Sequence, residues 1–242
     1  MGRRKNEFPA QTGPYAVKVK NGAHWRGFKT ARLQISVGQP YHEGDKLGAT
    51  LDWCKHRFDH VIVCVNDTLQ RLNGQFDGLS PDEAFAASKL AGDEWMNRYA
   101  GSIGMLPSAE IHSWEDWRAR PDYAKAFAQT QSLYANNAEF RGAIDANIKD
   151  FWARRKIRDG LTGDFGFTDF AACSRAYLIE ETAVFSMMFK DKRAVDVYPG
   201  SVLLPSVVFQ GRHVPGAPEG LDQGAFTRID FNKKRDRELK VA

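Results

Sequence analysis

The sequence lacks any run of about 18 apolar residues, so no membrane span is expected. It has little cysteine. Cys54, Cys64 and Cys173 are scattered and odd in number. They do not suggest a disulfide framework and read as buried, reduced thiols of a cytosolic protein. Strong charge of either sign is missing too: the net charge is +4, which does not by itself imply a nucleic-acid partner. Arg3, Arg4 and Lys5 are followed by no apolar stretch, which argues against a secretory signal. There is no internal repeat and no domain linker. No G-x-S-x-G elbow occurs, which excludes an α/β-hydrolase by motif. Gly160, Gly163 and Gly166 do not have phosphate-loop spacing, so no nucleotide cofactor is expected there. Cys54, His56 and His60 straddle a helix end and a strand start, and no metal site is expected.

What remains is the composition of a soluble globular protein, 43% hydrophobic and 26% charged. Residues 1–14 are polar and read as a disordered arm, 15–230 as one domain, and 231–242 as a charged tail. Ala31 to Ser36 reads as a buried strand. Asp45 to Phe58 reads as a helix with Asp45 as its cap. Val61-Ile62-Val63-Cys64-Val65 reads as a parallel strand covered on both faces. Ser80-Pro81-Asp82-Glu83 is a helix start with a capping box, leading to a helix that ends near Tyr99 or Gly101.

A short strand is expected at Ile111, a turn at His112-Ser113, and helices over 114–118, 121–134 and 137–157. A further helix opens at Thr168-Asp169-Phe170 and ends near Phe189. Strands are expected at Ala194 to Tyr198 and at Ser206 to Gln210, with loop over 211–226. Strands alternating with helices point to an α/β fold with a parallel sheet.

Three patches carry chemistry. Ser36 stands at the carboxyl end of a strand, where open α/β sheets expose reactive groups. Gly38 allows a tight turn beside it, and Tyr41 can close one side of a pocket. Taken alone, such a serine more often caps a helix or bonds a turn amide. His42 is near in sequence but has no motif-level link to it. Tyr177 and Glu181 are four apart and share one helix face. A carboxylate on a buried face needs a partner, and a ligand's ammonium would serve. The bland alternative leaves Glu181 half-exposed and bonded to solvent or Arg175. Glu180 is expected to be the exposed one of the two glutamates. Tyr198, followed by Pro199, ends a strand and can relay protons as a neutral phenol.

In combination, these patches resemble the cyclodipeptide synthases. Ile35-Ser36-Val37-Gly38 followed by Tyr41 is similar to that family's I-S-x-G-x-x-Y segment. Tyr177-x-x-x-Glu181 resembles its helix motif. Tyr198-Pro199, with Gln39, resembles the subgroup in which proline follows the second catalytic tyrosine. Trp114 to Tyr123 is similar to a less specific family region, and the likeness spans roughly 30–210.

The resemblance implies a Rossmann-like parallel sheet flanked by helices, similar to the catalytic domain of class I tyrosyl- and tryptophanyl-tRNA synthetases. It also implies an aminoacyltransferase that uses two aminoacyl-tRNAs to form a cyclic dipeptide, a 2,5-diketopiperazine. The route is ping-pong, through aminoacyl- and dipeptidyl-serine intermediates. Ser36 would be the nucleophile, Tyr177 and Glu181 would hold the aminoacyl ammonium, and Tyr198 would relay a proton. Gly38, Gln34, Tyr41, Val65 and Asn66 are expected around the bound aminoacyl group. The H-I-G-H and K-M-S-K-S motifs are absent, which agrees with substrates that arrive activated; no ATP, metal or other cofactor is expected. A cytoplasmic monomer without a membrane partner is implied.

The family often has a strongly basic helix in the region that runs here from Pro81 to Gly101. This one has only Lys89 and Arg98 against Asp82, Glu83, Asp93 and Glu94. The RNA footprint is therefore expected at Arg154, Arg155, Lys156 and Arg158, with Lys89 and Arg98 as further candidates. Two alternatives are an aminoacyl-tRNA-dependent transferase with another acceptor and a non-catalytic tRNA-binding Rossmann-like module.

Overall fold

The computed structural model describes residues 13–20, 24–199 and 209–233. Among them are six strands in one sheet: β1 (Tyr15–Val19), β2 (Thr30–Ser36), β3 (His60–Asn66), β4 (Ala109–Ser113), β5 (Ala194–Pro199) and β6 (Phe226–Lys233). The order across the sheet is β1-β6-β5-β2-β3-β4. Neighbours from β6 to β4 run parallel, and β1 joins the β6 edge antiparallel. The helices are α1 (Gly44–Lys55), α2 (Arg71–Phe76), α3 (Pro81–Ile103), α4 (Trp114–Arg118), α5 (Tyr123–Asn136), α6 (Ala138–Asp159) and α7 (Phe167–Phe189). This is the Rossmann-like α/β arrangement expected.

The two faces of the sheet follow from strand alternation. Leu33 and Ile35 of β2, Val63 and Val65 of β3 and Val195 and Val197 of β5 pack against Leu47 and Leu51 of α1 and Trp95 of α3. The other face carries α4, α5 and α7, through Trp114, Ala126, Ala183, Val184 and Met187. α6 forms an outer layer, its Phe140, Ile144 and Trp152 packing with Leu133 of α5 and Phe170 and Leu178 of α7. β3 is apolar from Val61 to Val65 because it is covered on both sides.

Local signals placed several ends correctly. Ser80 and Glu83 form the capping box of α3, with Ser80 N–H donating to Glu83 Oε2 over 3.0 Å. α6 ends on Gly160 at φ +65°, with the Leu161 N–H bonded back to the Lys156 carbonyl, 3.0 Å. Other expectations are corrected. α1 begins at Gly44 with Glu43 in the cap position, and Asp45 lies in its first turn. Glu43 caps nothing because its carboxylate is held by Tyr99 Oη (2.6 Å) and Arg98 (3.1 Å). His112 and Ser113, read as a turn, belong to β4, because they pair with Cys64 and Val65 of β3.

β1, α2 and β6 were not anticipated. β6 carries the chain through 231–233, the first residues of the expected tail, where Phe231 meets Tyr15 with ring centroids 6.2 Å apart. The arm at 1–12, the remainder of the tail and residues 206–208 of the expected strand lie outside the described residues. Cys54 and Cys64 are buried, and burial pushes the Cys54 thiol up to about 12; Cys173 is half-buried on α7. No helix among the described residues is long and apolar enough to cross a membrane.

Candidate active site

β2 lies inside the sheet and points Arg32, Gln34 and Ser36 toward α7. Beneath Ser36, Arg32 forms a buried two-pronged pair with Asp196 of β5 (Nε to Oδ1 3.1 Å, Nη2 to Oδ2 2.8 Å). Gln34 donates to the same carboxylate over 2.8 Å, and its own carbonyl oxygen has no partner among the described residues. This polar stack joins β2 to β5, and it explains why Gln34 supports the site from below.

The chain leaves β2 through a tight turn in which Gln39 N–H donates to the Ser36 carbonyl, 3.2 Å. Gly38 occupies the turn at φ +84°, where a side chain would be strained. The turn returns Tyr41 to the strand end. Tyr198, at the end of β5, lies between the two: its phenol oxygen is 3.3 Å from Ser36 Oγ and 2.9 Å from Tyr41 Oη. Burial raises the pKa of both phenols, so both are neutral near pH 7.

α7 supplies the opposite wall. Tyr177 accepts a hydrogen bond from Gln70 Nε2, 3.3 Å, and burial followed by the Glu181 charge raises its pKa. Glu181 is 7% exposed and has no hydrogen-bond or ion-pair partner among the described residues. Burial alone pushes its carboxyl up to about 8. Its ionised form would raise the pKa of Tyr41, Tyr177 and Tyr198, so the four groups share one electrostatic neighbourhood. Asn66 is the register partner of Ser36, and its side-chain oxygen is also buried without a partner. Unpaired acceptors around a hydroxyl suit a ligand that brings N–H donors.

Several site expectations change. Val65 pairs with Ile35 and packs with Trp95 on the far face, so alternation removes it from the Ser36 side. Glu180 is not exposed. It is bonded by Arg71 (Nη1 3.0 Å), by Trp114 Nε1 (2.8 Å) and more loosely by Arg118 (3.5 Å). α7 is enclosed by α2 and α4 on that side. Glu180→Gln is therefore expected to lower stability by roughly 3 kcal/mol, because it leaves Arg71 buried without its counter-charge. A thermal melt at pH 7 checks this; an unchanged midpoint would show that the pair contributes nothing.

The basic candidates also separate. Lys89 is paired with Asp93 (2.8 Å) and Arg98 with Glu43 (3.1 Å). Arg155 turns inward over the Phe76 ring and pairs with Asp77 and Asp159. Lys156 pairs with Asp164 (2.9 Å) and Arg158 with Asp159 (2.6 Å). Arg154 is exposed, lies 4.9 Å from the Phe151 ring centroid, and has no carboxylate partner among the described residues. Its charge acts to lower the pKa of the Tyr41 phenol, so its field reaches the Ser36 end of the sheet.

Sequence reasoning missed Gln70 and Arg71, which pin α7 from the loop after β3. No local pattern marks them. A cavity of about 320 Å³ between α5 and residues 212–223, and one of about 380 Å³ at the amino ends of β2, β3 and β4, do not include Ser36.

Sheet order, strand-end serine and facing helix define a Rossmann-like fold with a cluster of hydroxyls and a buried carboxyl at the carboxyl end of β2. No protein-family model and no curated protein matches the sequence. Solved structures do. A CDPS (cyclodipeptide synthase) from Fluoribacter dumoffii is 25% identical with a TM-score of 0.78, over 91% of this chain and 100% of that one. A cyclodipeptide synthase from Candidatus Glomeribacter gigasporarum, solved bound to Phe-tRNAPhe, is 18% identical with a TM-score of 0.62, over 86% and 89%. A Mycobacterium tuberculosis protein has a TM-score of 0.62 at 13% identity, over 97% and 99%. Its structure is described as demonstrating that cyclodipeptide synthetases are related to type I tRNA synthetases. The fold of this chain is that of the cyclodipeptide synthases.

Proposed function

We propose that this protein is an aminoacyl-tRNA-dependent cyclodipeptide synthase of the subgroup with proline after the second tyrosine. One observation carries the reading: the Ser36 hydroxyl is bonded to Tyr198, whose phenol also feels Glu181, a buried carboxyl without a partner among the described residues.

Ser36 Oγ attacks the ester carbonyl of a first aminoacyl-tRNA. The ester C–O bond breaks, the serine proton passes to the departing tRNA hydroxyl, and the aminoacyl group stays on Ser36. Tyr177 and Glu181 hold its ammonium. A carboxyl with a pKa near 8 exchanges a proton with an ammonium at little cost, so the same contact can release the free amine. That amine attacks the ester carbonyl of the second aminoacyl-tRNA: the peptide bond forms, the ester C–O bond breaks, and the proton lost by the amine leaves on the second tRNA's hydroxyl. This direction of attack leaves the dipeptide attached to Ser36. The new terminal amine then attacks the Ser36 ester. The diketopiperazine leaves, and the serine oxygen recovers its proton through Tyr198. Both amino acids arrive as activated esters, so the scheme uses no ATP, metal or other cofactor. It draws on a cytoplasmic pool of aminoacyl-tRNA and needs one copy of the chain. Holding the reactants in place supplies much of the rate.

Mass spectrometry of extracts from cells expressing the chain tests the reading. A diketopiperazine is expected. A Ser36 adduct without cyclic product would favour a transferase with another acceptor, and neither would favour a non-catalytic tRNA-binding module.

Arg154, without a carboxylate partner among the described residues and with a field that reaches the Ser36 end of the sheet, is the cation best placed to meet the acceptor-end phosphates. Arg154→Glu should weaken aminoacyl-tRNA binding and flatten the slope of log K against log salt by about 0.7–0.9. Lys156→Glu, whose wild-type charge is already matched by Asp164, should do less. Equal effects at both positions would sink this assignment.

A further inference from the structure

His42 is buried completely and the reaction above does not use it, yet it touches Ser36, Tyr41 and Tyr198. The Ser36 backbone N–H donates to His42 Nδ1 over 2.8 Å. Nδ1 also lies 3.2 Å from the Ser36 carbonyl oxygen, a contact that only a protonated Nδ1 could use. The amide N–H can only donate, and its contact is the shorter, so Nδ1 is assigned as the acceptor and the ring proton to Nε2. The ring stands edge-on to Tyr41 (4.7 Å between centroids) and Tyr198 (5.5 Å). The backbone of His42 is held as well. Its N–H donates to the Gln39 carbonyl (2.8 Å), and its carbonyl accepts from Trp95 Nε1 of α3 (3.0 Å). The adjacent Glu43 carboxylate is engaged by Tyr99 and Arg98. Among the described residues, Nε2 has no partner at all.

We infer that His42 is a positioning residue: as a neutral imidazole it clamps the backbone of Ser36 through Nδ1, leaving the serine hydroxyl to Tyr198. This goes beyond the proposed function, because it assigns the side chain that fixes the nucleophile's own peptide. It also has a chemical consequence. In serine acyl transfer the nucleophile's own amide often stabilises the oxyanion. Here that amide is already engaged by His42. The oxyanion formed on attack must therefore be met by other donors. Nor can His42 serve as the general base, since its one lone pair points at the backbone, away from Ser36 Oγ. Burial agrees: it pushes the imidazole down to about 3, so the ring stays neutral.

Two substitutions separate this role from a merely structural one. His42→Asn can place an amide oxygen where Nδ1 sits, whereas His42→Phe keeps a flat ring but offers no acceptor. In single-turnover acylation of Ser36, His42→Asn should stay within about threefold of the parent. His42→Phe should lose about ten- to a hundredfold in kcat with KM nearly unchanged, since a buried donor is left unmet. If the folded fraction of His42→Phe acylates at the parental rate, the clamp is only structural, and the inference fails. Equal, severe losses in both variants would point to proton transfer by His42 and overturn it too.

A second measurement needs neither variant nor substrate. Nitrogen NMR of the ligand-free protein should show scalar coupling between the Ser36 amide nitrogen and His42 Nδ1, with no imidazole titration between about pH 5 and pH 9. Absence of the coupling with a titration near the ordinary histidine value would overturn the assignment. Because this reading needs no product, it stands or falls separately from the proposed synthase activity.

Discussion

Replacing Ser36 with alanine should abolish cyclic dipeptide formation, by roughly three orders of magnitude or more, while leaving the protein folded. The fold survives because the contacts that hold residue 36 run through its backbone: the N–H to His42, and the carbonyl to Gln39. The hydroxyl itself contributes one 3.3 Å contact with Tyr198, worth about 1 kcal/mol or less. Product is read by mass spectrometry, and the covalent adduct by labelled aminoacyl-tRNA trapped on the protein. An alanine variant that retains more than a few per cent of product would end the covalent scheme. Loss of product together with a collapsed melting curve would mean that the hydroxyl holds the fold.

Glu181→Gln should impair acylation of Ser36 about ten- to a hundredfold, the scale of a lost charged hydrogen bond. The same change should improve stability above neutral pH. In the folded chain burial holds this carboxyl protonated up to about pH 8, whereas the unfolded chain ionises it near 4.5. Below pH 4.5 both states keep the proton and Glu181 has no effect on the balance. Between 4.5 and 8 the unfolded state is increasingly favoured, so stability falls as pH rises, reaching a deficit on the order of 5 kcal/mol near pH 8. Glutamine cannot ionise and removes that slope. Melting curves from pH 5 to 8 should therefore diverge, with the variant gaining at the alkaline end. Parallel curves would mean that Glu181 is ionised in the free protein and has found a partner. The two readouts oppose each other, as expected for a group kept unpaired for its ligand.

What could be read from the chain was local. The strand ending in Ser36 is marked by its apolar run and by Gly38, which the turn requires at positive φ. Tyr177 and Glu181 share a face because helix geometry puts i and i+4 together. The start of α3 is written in four consecutive residues. The strand assignments also carried the parallel sheet, since β3 has no polar alternation. Glu180 and Glu181, by contrast, are indistinguishable to a sequence reading, being adjacent carboxylates on one apolar helix. Arg71, at a separation of 109 residues, pairs with one and leaves the other to the pocket. The cations at the end of α6 look alike in sequence, and only Arg154 escapes a carboxylate among the described residues.

The sequence by itself determined the strand-end place of Ser36, the helix face that confronts it and the architecture that carries both, because each depends on neighbours a few residues away. The tertiary structure alone decided which glutamate and which α6 cation lack an ion-pair partner among the described residues, that Val65 lies on the far side of the sheet, and that the Ser36 amide meets His42. Those outcomes depend on burial and on partners brought from distant elements, and a desolvated group's charge state has no signature in the order of residues along the chain.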